Sequence, residues 1–516
     1  MSEGRGFGQE LRGRNFATGT SRDGDYHTAM PWRPGPRARS AVLLALLATL
    51  PRAWGQALPE LGDISGATFS PQLERRVGES IVRDLRARDP TYLDDAEVQD
   101  YLRAIGGRLA DANPSARQDF EFFPMRDSSV NAFALPGGFI GVHSGLIALS
   151  DSESELASVL AHEIAHVTQR HIARQVSDQE KLSVPVMVGL AAALLAARSR
   201  PDLASGASVA VQGMAVQRFL NYSREFEREA DRVGLQALSA AGFDPRAMPL
   251  FFEKMQRATR VMDDGSFPGY LRTHPLNTER IADAANRAAT MPYRQHLDST
   301  DYHLVRAKLR VEQLEPAEAV KAFESALRER RYASEAAARY GLAHALLRAK
   351  REAEAAPELA RLRQTRVESP MIETLDARIR QARGDAAGAA TVLRAAMAKY
   401  PGRRPLLYAY GALLQDTGRA AEVVTLSAEQ LKLYPRDERL YAMQARAHAA
   451  LGKRFAQHRA QAEVYALQGS LPAAIEQLQL AQSAGDGDFY ELSAADARLR
   501  QLREELAAER KDQKKR

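Results

Sequence analysis

The sequence predicts an α-rich α+β protein, with one small sheet in its first half and an all-α solenoid in its second. Three observations carry that reading. Two β-type runs lie among periodic helical segments before residue 150. Beyond residue 300, small residues recur 34 positions apart. At 516 residues, the chain is too long for one ordinary domain.

Residues 1–57 read as an extension plus a targeting segment. Residues 1–29 are polar and rich in Gly and Arg. Met30 precedes basic Arg33, Arg37 and Arg39, the apolar run Ala41–Leu50, and small residues at Ala53, Gly55 and Ala57. That order is the layout of a secretory signal peptide, and the apolar run is too short to span a bilayer. Translation is expected to start at Met30, with cleavage near residues 55–57 and export of the mature chain.

Residues 58–295 form the first predicted domain. Ser70–Ala87 and Asp95–Ala112 are helical by apolar spacing. Phe120–Met125 and Val130–Val142 are strand-like, the second broken by Pro136-Gly137-Gly138. Ser152–Arg174 is a strong helix, with Ser152 and Glu155 as a capping box. Its apolar stripe is Leu156, Leu160, Ile164 and Val167. The uncharged stretch 183–197 and the Ala/Val/Gly-rich stretch 203–220 are expected to form a buried hairpin over that helix; a hydrophobic surface through 183–220 that touches a membrane peripherally, or an unfolded substrate, is the sharper reading.

From residue 300 to 487, alanine, leucine and arginine dominate. Gly384, Gly418 and Gly452 are 34 apart, as are Ala343, Ala377, Gly411 and Ala445, and also Pro401 and Pro435. Small residues let two helices approach, and Gly and Pro mark their turns. A helix-turn-helix period of 34 is the tetratricopeptide signature, here about five units. Residues 488–516 are a C-terminal helix and charged tail.

Composition excludes several chemistries. There is no cysteine, so disulfides, thiolate metal sites and Cys nucleophiles are ruled out. The net charge of +6 is mild for this length, and bases alternate with acids, so no nucleic-acid partner is expected.

What remains is the run HEIAH. His162 and His166 are four apart on a helix, so both imidazoles share one face and can share one zinc. Glu163 beside them can take a proton from a water that zinc has polarised. Catalytic zinc needs a third protein ligand. A histidine at 172 would continue one common pattern, but Ile172 stands there, and no acid lies between Leu182 and Ala197. The next acid-rich helix, Asn221–Ala237, places Glu227 and Asp231 on one face. Glu227 is the natural ligand. Asp231 behind it can fix the tautomer of a ligand histidine. Arg224, Glu225, Arg228, Glu229 and Arg232 read as a solvated, salt-bridged face. His143 and His171 read as structural.

HEIAHVTQRH, SREFEREADRVG and THPLNTERIADA, preceded by NAFALPGGFIGVHSGL, resemble the M48 family of zinc metallopeptidases. The resemblance implies a zincin-like first domain and one Zn2+ per chain. It also implies endopeptidase activity, with Glu163 catalytic, His162, His166 and Glu227 as ligands, and Asp231 supporting them. Two further expectations follow from it. Asn131, Ala132, Phe133 and Ala134 would form an edge strand that pairs with substrate backbone. His274 would be a removable fourth ligand. With a leader and repeats, the resemblance points to a periplasmic protease of misfolded or misassembled outer-membrane proteins, recruited by its repeats to clients or to the β-barrel assembly machinery. A repeat-based chaperone or scaffold with little proteolysis is the alternative.

Overall fold

The computed structural model describes residues 69–178, 223–261 and 269–514. The leader and the segment 183–220 lie outside the described residues. Among the described helices, none is long and apolar enough to cross a membrane.

The α-rich α+β expectation is borne out. Helix α1 (Pro71–Arg88) starts at Ser70, whose side chain accepts from the Leu73 amide. Helix α2 (Ala96–Asp111) starts at Asp95, which accepts from Glu97 and Val98. Three strands follow: β1 (Glu121–Met125), β2 (Ala132–Leu135) and β3 (Phe139–His143). The order is β1-β3-β2, with β1 parallel and β2 antiparallel to β3. The β2–β3 turn uses Gly137 and Gly138 at φ 77° and 93°, which glycine adopts without a Cβ clash. β2 is therefore an outer strand.

Next come α3 (Ser144–Leu149) and the central helix α4 (Glu153–Thr168), with Ser152 capping Glu155 as the sequence suggests. Its burial goes beyond one apolar stripe, because residues 153–167 are buried all round. The helix also ends earlier than Arg174. Arg170 adopts φ 53°, its guanidinium held by Glu74 and the Phe69 carbonyl, and α5 (His171–Asp178) restarts in a new direction. Helices α6 (Arg224–Ala240), α7 (Ala247–Val261), α8 (Gly269–Thr273) and α9 (Thr278–Thr290) complete this half. α6 packs directly on α4. A Cβ at Gly234 would stand 3.1 Å from the Ala161 carbonyl and His162 Cα, so any larger residue would push the two backbones apart by a few tenths of an ångström.

The second half is a row of helices: α10 (Thr300–Gln313), α11 (Pro316–Arg328), α12 (Glu335–Arg348), α13 (Glu352–Gln364), α14 (Pro370–Ala382), α15 (Ala386–Lys399), α16 (Arg404–Asp416), α17 (Ala420–Leu433), α18 (Glu438–Ala450), α19 (Arg454–Leu467), α20 (Leu471–Gln482) and α21 (Phe489–Lys514). The starts of α14, α16 and α18 are 34 residues apart, as are those of α15, α17 and α19.

Residues 63–516 form one unit, and the two halves meet extensively. One apolar cluster runs from Leu93 through α4 and α7 to Ile379 in α14. Later repeats have clusters of their own, one around Leu406 and Leu413 and one around Leu471 and Leu499. Lys308 is buried and lies 2.6 Å from both Asp95 and Glu97. Further out the contacts are polar: Arg403 with Asp100 at 2.7 Å, Arg439 with Asp94, and Arg83 donating to the Gly469 carbonyl.

Candidate metal centre

Three elements converge on one point. α4 brings His162, Glu163 and His166. α6, held close by Gly234, brings Glu227 and Asp231. α8 brings His274, because the Tyr270 amide donates to the Val130 carbonyl just before β2. All six side chains are buried.

His162, His166, Glu227 and His274 each offer one ligand atom, and these atoms lie within 4.8 Å of one another. His162 Nε2 is 2.9 Å from His166 Nε2 and 3.4 Å from His274 Nδ1. Glu227 lies 2.9 Å from His274 Nδ1, 3.4 Å from His166 Nε2 and 3.6 Å from His162 Nε2. Zinc with bonds of ~2.0–2.1 Å in a tetrahedron would space its ligands by about 3.3 Å. The donor set and its spacing therefore fit zinc. Glu163 stands alongside, 3.4 Å from His274 Nε2, and neither of its buried oxygens accepts a hydrogen bond of good geometry.

Electrostatics agree. Burial alone would lower the pKa of His162, but bonds to Asp231 and Glu227 outweigh it and lift the value to about 9. Burial would raise Glu227, yet His274, His162 and His166 hold it well below the usual carboxylate range. His166 goes the other way, held well below the usual imidazole value by burial and by the neighbouring His162 and His274. Burial raises the Glu163 carboxyl, which strengthens it as a base.

Around the four donors lies a supporting layer. Asp231 Oδ1 is 3.0 Å from His162 Nδ1. Arg280 on α9 donates to both Asp231 oxygens at 2.8 and 2.9 Å and lies 2.7 Å from Glu227. The Tyr270 ring stacks on His274 with centroids 4.5 Å apart. Sequence reasoning missed Arg280 and Tyr270. The signal for Arg280 was available: it shares a helix face with buried Ala284 and Ala288.

His171 departs from the expectation in its surroundings. A continued helix would rotate it away from the ligand face, but the break at Arg170 folds it back. Its Nδ1 lies 2.9 Å from His166 Nδ1 and its Nε2 lies 3.2 Å from Glu229. Burial pulls its pKa down to about 4, keeping it neutral. Glu229 therefore does not belong wholly to a solvated face. His143 is buried beside Ser129 and Asp127, away from the cluster.

Asn131 through Ala134 border the pocket. The His143 amide donates to the Asn131 carbonyl. Antiparallel alternation then turns the backbone groups of Phe133 and Leu135 toward β3, leaving those of Ala132 and Ala134 on the other side of a buried outer strand, with the Ala134 backbone facing Glu163.

The family model for peptidase family M48 matches residues 96–288, a range that contains the whole cluster. The putative beta-barrel assembly-enhancing protease of Vibrio cholerae is 40% identical over 256 residues, 49% of this chain and 51% of that protein. The match thus spans about half the length of that relative. The beta-barrel assembly-enhancing protease of Yersinia pestis is 34% identical over 455 residues, 86% of this chain and 91% of that one. The mitochondrial metalloendopeptidase OMA1 of Schizosaccharomyces pombe is 35% identical over 199 residues, 39% of this chain and 53% of that one.

Proposed function

This chain belongs to peptidase family M48, and we propose that it is an endopeptidase of the cell envelope that removes misfolded or misassembled outer-membrane proteins. One observation carries the chemistry: four convergent donors of zinc-like spacing beside a buried carboxylate, under the outer strand of the sheet.

In this reading His162, His166 and Glu227 hold the metal, and Asp231 orients His162 by accepting from its Nδ1–H. Zinc, when bound, supplies Lewis-acid polarisation of water and of the scissile carbonyl. Glu163 accepts the proton of the attacking water and delivers it to the departing amine. The raised pKa of Glu163 suits both transfers. The outer strand at Ala132 and Ala134 takes an extended chain by backbone hydrogen bonds, with little sequence demand, which suits unfolded clients. Phe133 completes that strand, and Asn131 directly precedes it. His274 is a fourth, removable ligand that occupies the position a substrate needs. Residues 58–295 are the catalytic domain, and the tetratricopeptide-type repeats at 300–487 recruit clients or the outer-membrane assembly machinery. The names of the bacterial relatives support an envelope setting. The complete donor set argues against a scaffold with a vestigial site.

Metal analysis and casein proteolysis of wild type and Glu163→Gln test the chemistry. The variant is expected to keep zinc and lose activity; surviving activity refutes the assignment. For clients, an unfolded β-barrel protein should be cleaved and its folded form spared. Equal cleavage of both, or of neither, removes the quality-control reading.

A further inference from the structure

We propose that His171 is a positioning residue for the metal centre, the middle member of a hydrogen-bonded chain from Glu229 through His171 to His166. The inference rests on the reading above only in that His166 is taken to bind the metal through Nε2.

The chain of donors follows from the geometry. His166 Nε2 faces the other candidate ligands, 2.9 Å from His162 Nε2 and 3.4 Å from Glu227. Its lone pair must therefore be on Nε2, which leaves the proton on Nδ1. That N–H points at His171 Nδ1, 2.9 Å away, which must accept. His171 then carries its own proton on Nε2 and donates it to Glu229 Oε2 at 3.2 Å. Along these contacts every donor meets an acceptor with both rings neutral.

Three features hold the arrangement. The His171 ring lies flat on Phe226, with centroids 4.5 Å apart and planes 8° apart. Arg174, 2.8 Å from Glu229 Oε2, fixes the carboxylate, and its guanidinium covers the other part of that assembly over the Phe226 ring. The left-handed turn at Arg170 reverses the chain so that a residue five positions beyond His166 can face it. Without that turn, α4 would carry position 171 about 140° further round the helix.

The two ligand histidines of α4 are thus supported differently. His162 meets a carboxylate directly, through Asp231 at 3.0 Å. His166 meets one through an intervening imidazole. A carboxylate behind a ligand imidazole raises its basicity and locks its ring, and removing such support typically costs 10–100-fold in metal affinity.

The test uses the full chain, stripped of metal and titrated with Zn2+ against a chelator of known affinity. His171→Phe keeps the stack on Phe226 but cannot accept from His166. His171→Asn places an oxygen where Nδ1 stands and can accept. Glu229→Gln changes only the half-exposed end of the chain. The expected result is at least tenfold weaker zinc binding for His171→Phe, and a several-fold loss both for Glu229→Gln and for His171→Asn, whose oxygen accepts from His166 but does not reach Glu229. The Co2+-substituted proteins should follow the same order in their visible spectra, with His171→Phe furthest from wild type. The proposal is overturned by His171→Phe at wild-type affinity, or by His171→Asn falling as far as His171→Phe. If His171→Phe does not fold, Glu229→Gln decides: a several-fold loss supports the chain, and wild-type affinity overturns it. A wild-type protein that binds no zinc would instead remove the metallopeptidase reading itself.

Discussion

Asp231→Asn is the most informative single change in the supporting layer. The side chain keeps its shape and loses its charge. In the native structure both oxygens accept from Arg280, at 2.8 and 2.9 Å, and one faces His162 Nδ1 at 3.0 Å. The new amide group can satisfy at most part of this: its NH2 opposes Arg280 in either orientation, and in one of them His162 as well. Arg280 then turns to its remaining anionic neighbour, Glu227, 2.7 Å away, and competes with the metal for that carboxylate. Loss of support behind one ligand costs about 10–100-fold in metal affinity, or about 1.4–2.7 kcal/mol at ~1.36 kcal/mol per tenfold. Breaking a buried ion pair costs about 3–5 kcal/mol when one charge is stranded. Here Glu227 still faces Arg280, so the structural loss should fall at or below the low end of that range. Chelator competition measures the first quantity and scanning calorimetry of the zinc-free protein the second. Zinc affinity within threefold of wild type would refute the role given to Asp231.

Other expectations concern the same centre and the contact that braces it. His274→Ala should raise basal proteolysis severalfold, measured on an unfolded protein substrate; unchanged or lower activity in a folded variant removes the latency idea. Gly234→Val places methyl groups against the Ala161 carbonyl and should destabilise by about 1–3 kcal/mol, with weaker zinc binding as Glu227 is pushed outward. A variant with wild-type stability and zinc affinity would mean that the close approach is not needed. Lys308→Met strands Asp95 and Glu97 and should destabilise by about 3–5 kcal/mol near neutral pH. Burial would raise Asp95, but Lys308 outweighs it and depresses the value. The Asp95 contribution is therefore present above about pH 4 and lost as pH falls through the lower folded value. Lys308 itself is raised, so its contribution holds until pH climbs past the usual lysine range. In the variant, protonating the stranded Asp95 carboxyl relieves the strain, so its deficit should narrow on acidification; a constant deficit contradicts this account.

The sequence made the catalytic helix legible because every clue there is local. Ser152 capping Glu155 and the four-residue spacing of His162 and His166 need only helical geometry. Glu227 and Asp231 were within reach for the same reason, as two acids on the apolar side of a periodic helix. The supporting layer was harder to read. His171 depends on a left-handed Arg170, a conformation that arginine rarely takes and that contacts with the distant Glu74 and Phe69 help to maintain. Once that turn was missed, Glu229 could only read as solvated. Lys308 reads as one more basic residue on a repeat helix until Asp95 and Glu97, some two hundred positions earlier, are brought against it. Spacing within an element is local information, whereas these partners are set by the packing of distant ones.

The shared apolar cluster gives the chain a graded response to force. Helices α10 to α14 belong to the same interior as α4, so they cannot peel away without opening the fold that aligns His162 and His166. Beyond α14 the repeats have interiors of their own and reach the first half largely through polar contacts, each worth about 0–1 kcal/mol where exposed. A load applied near the C-terminus would therefore strip the outer repeats first and stop at a block that includes the metal centre. The distal helices can bend on their own, while the proximal ones act as a splint for His162 and His166.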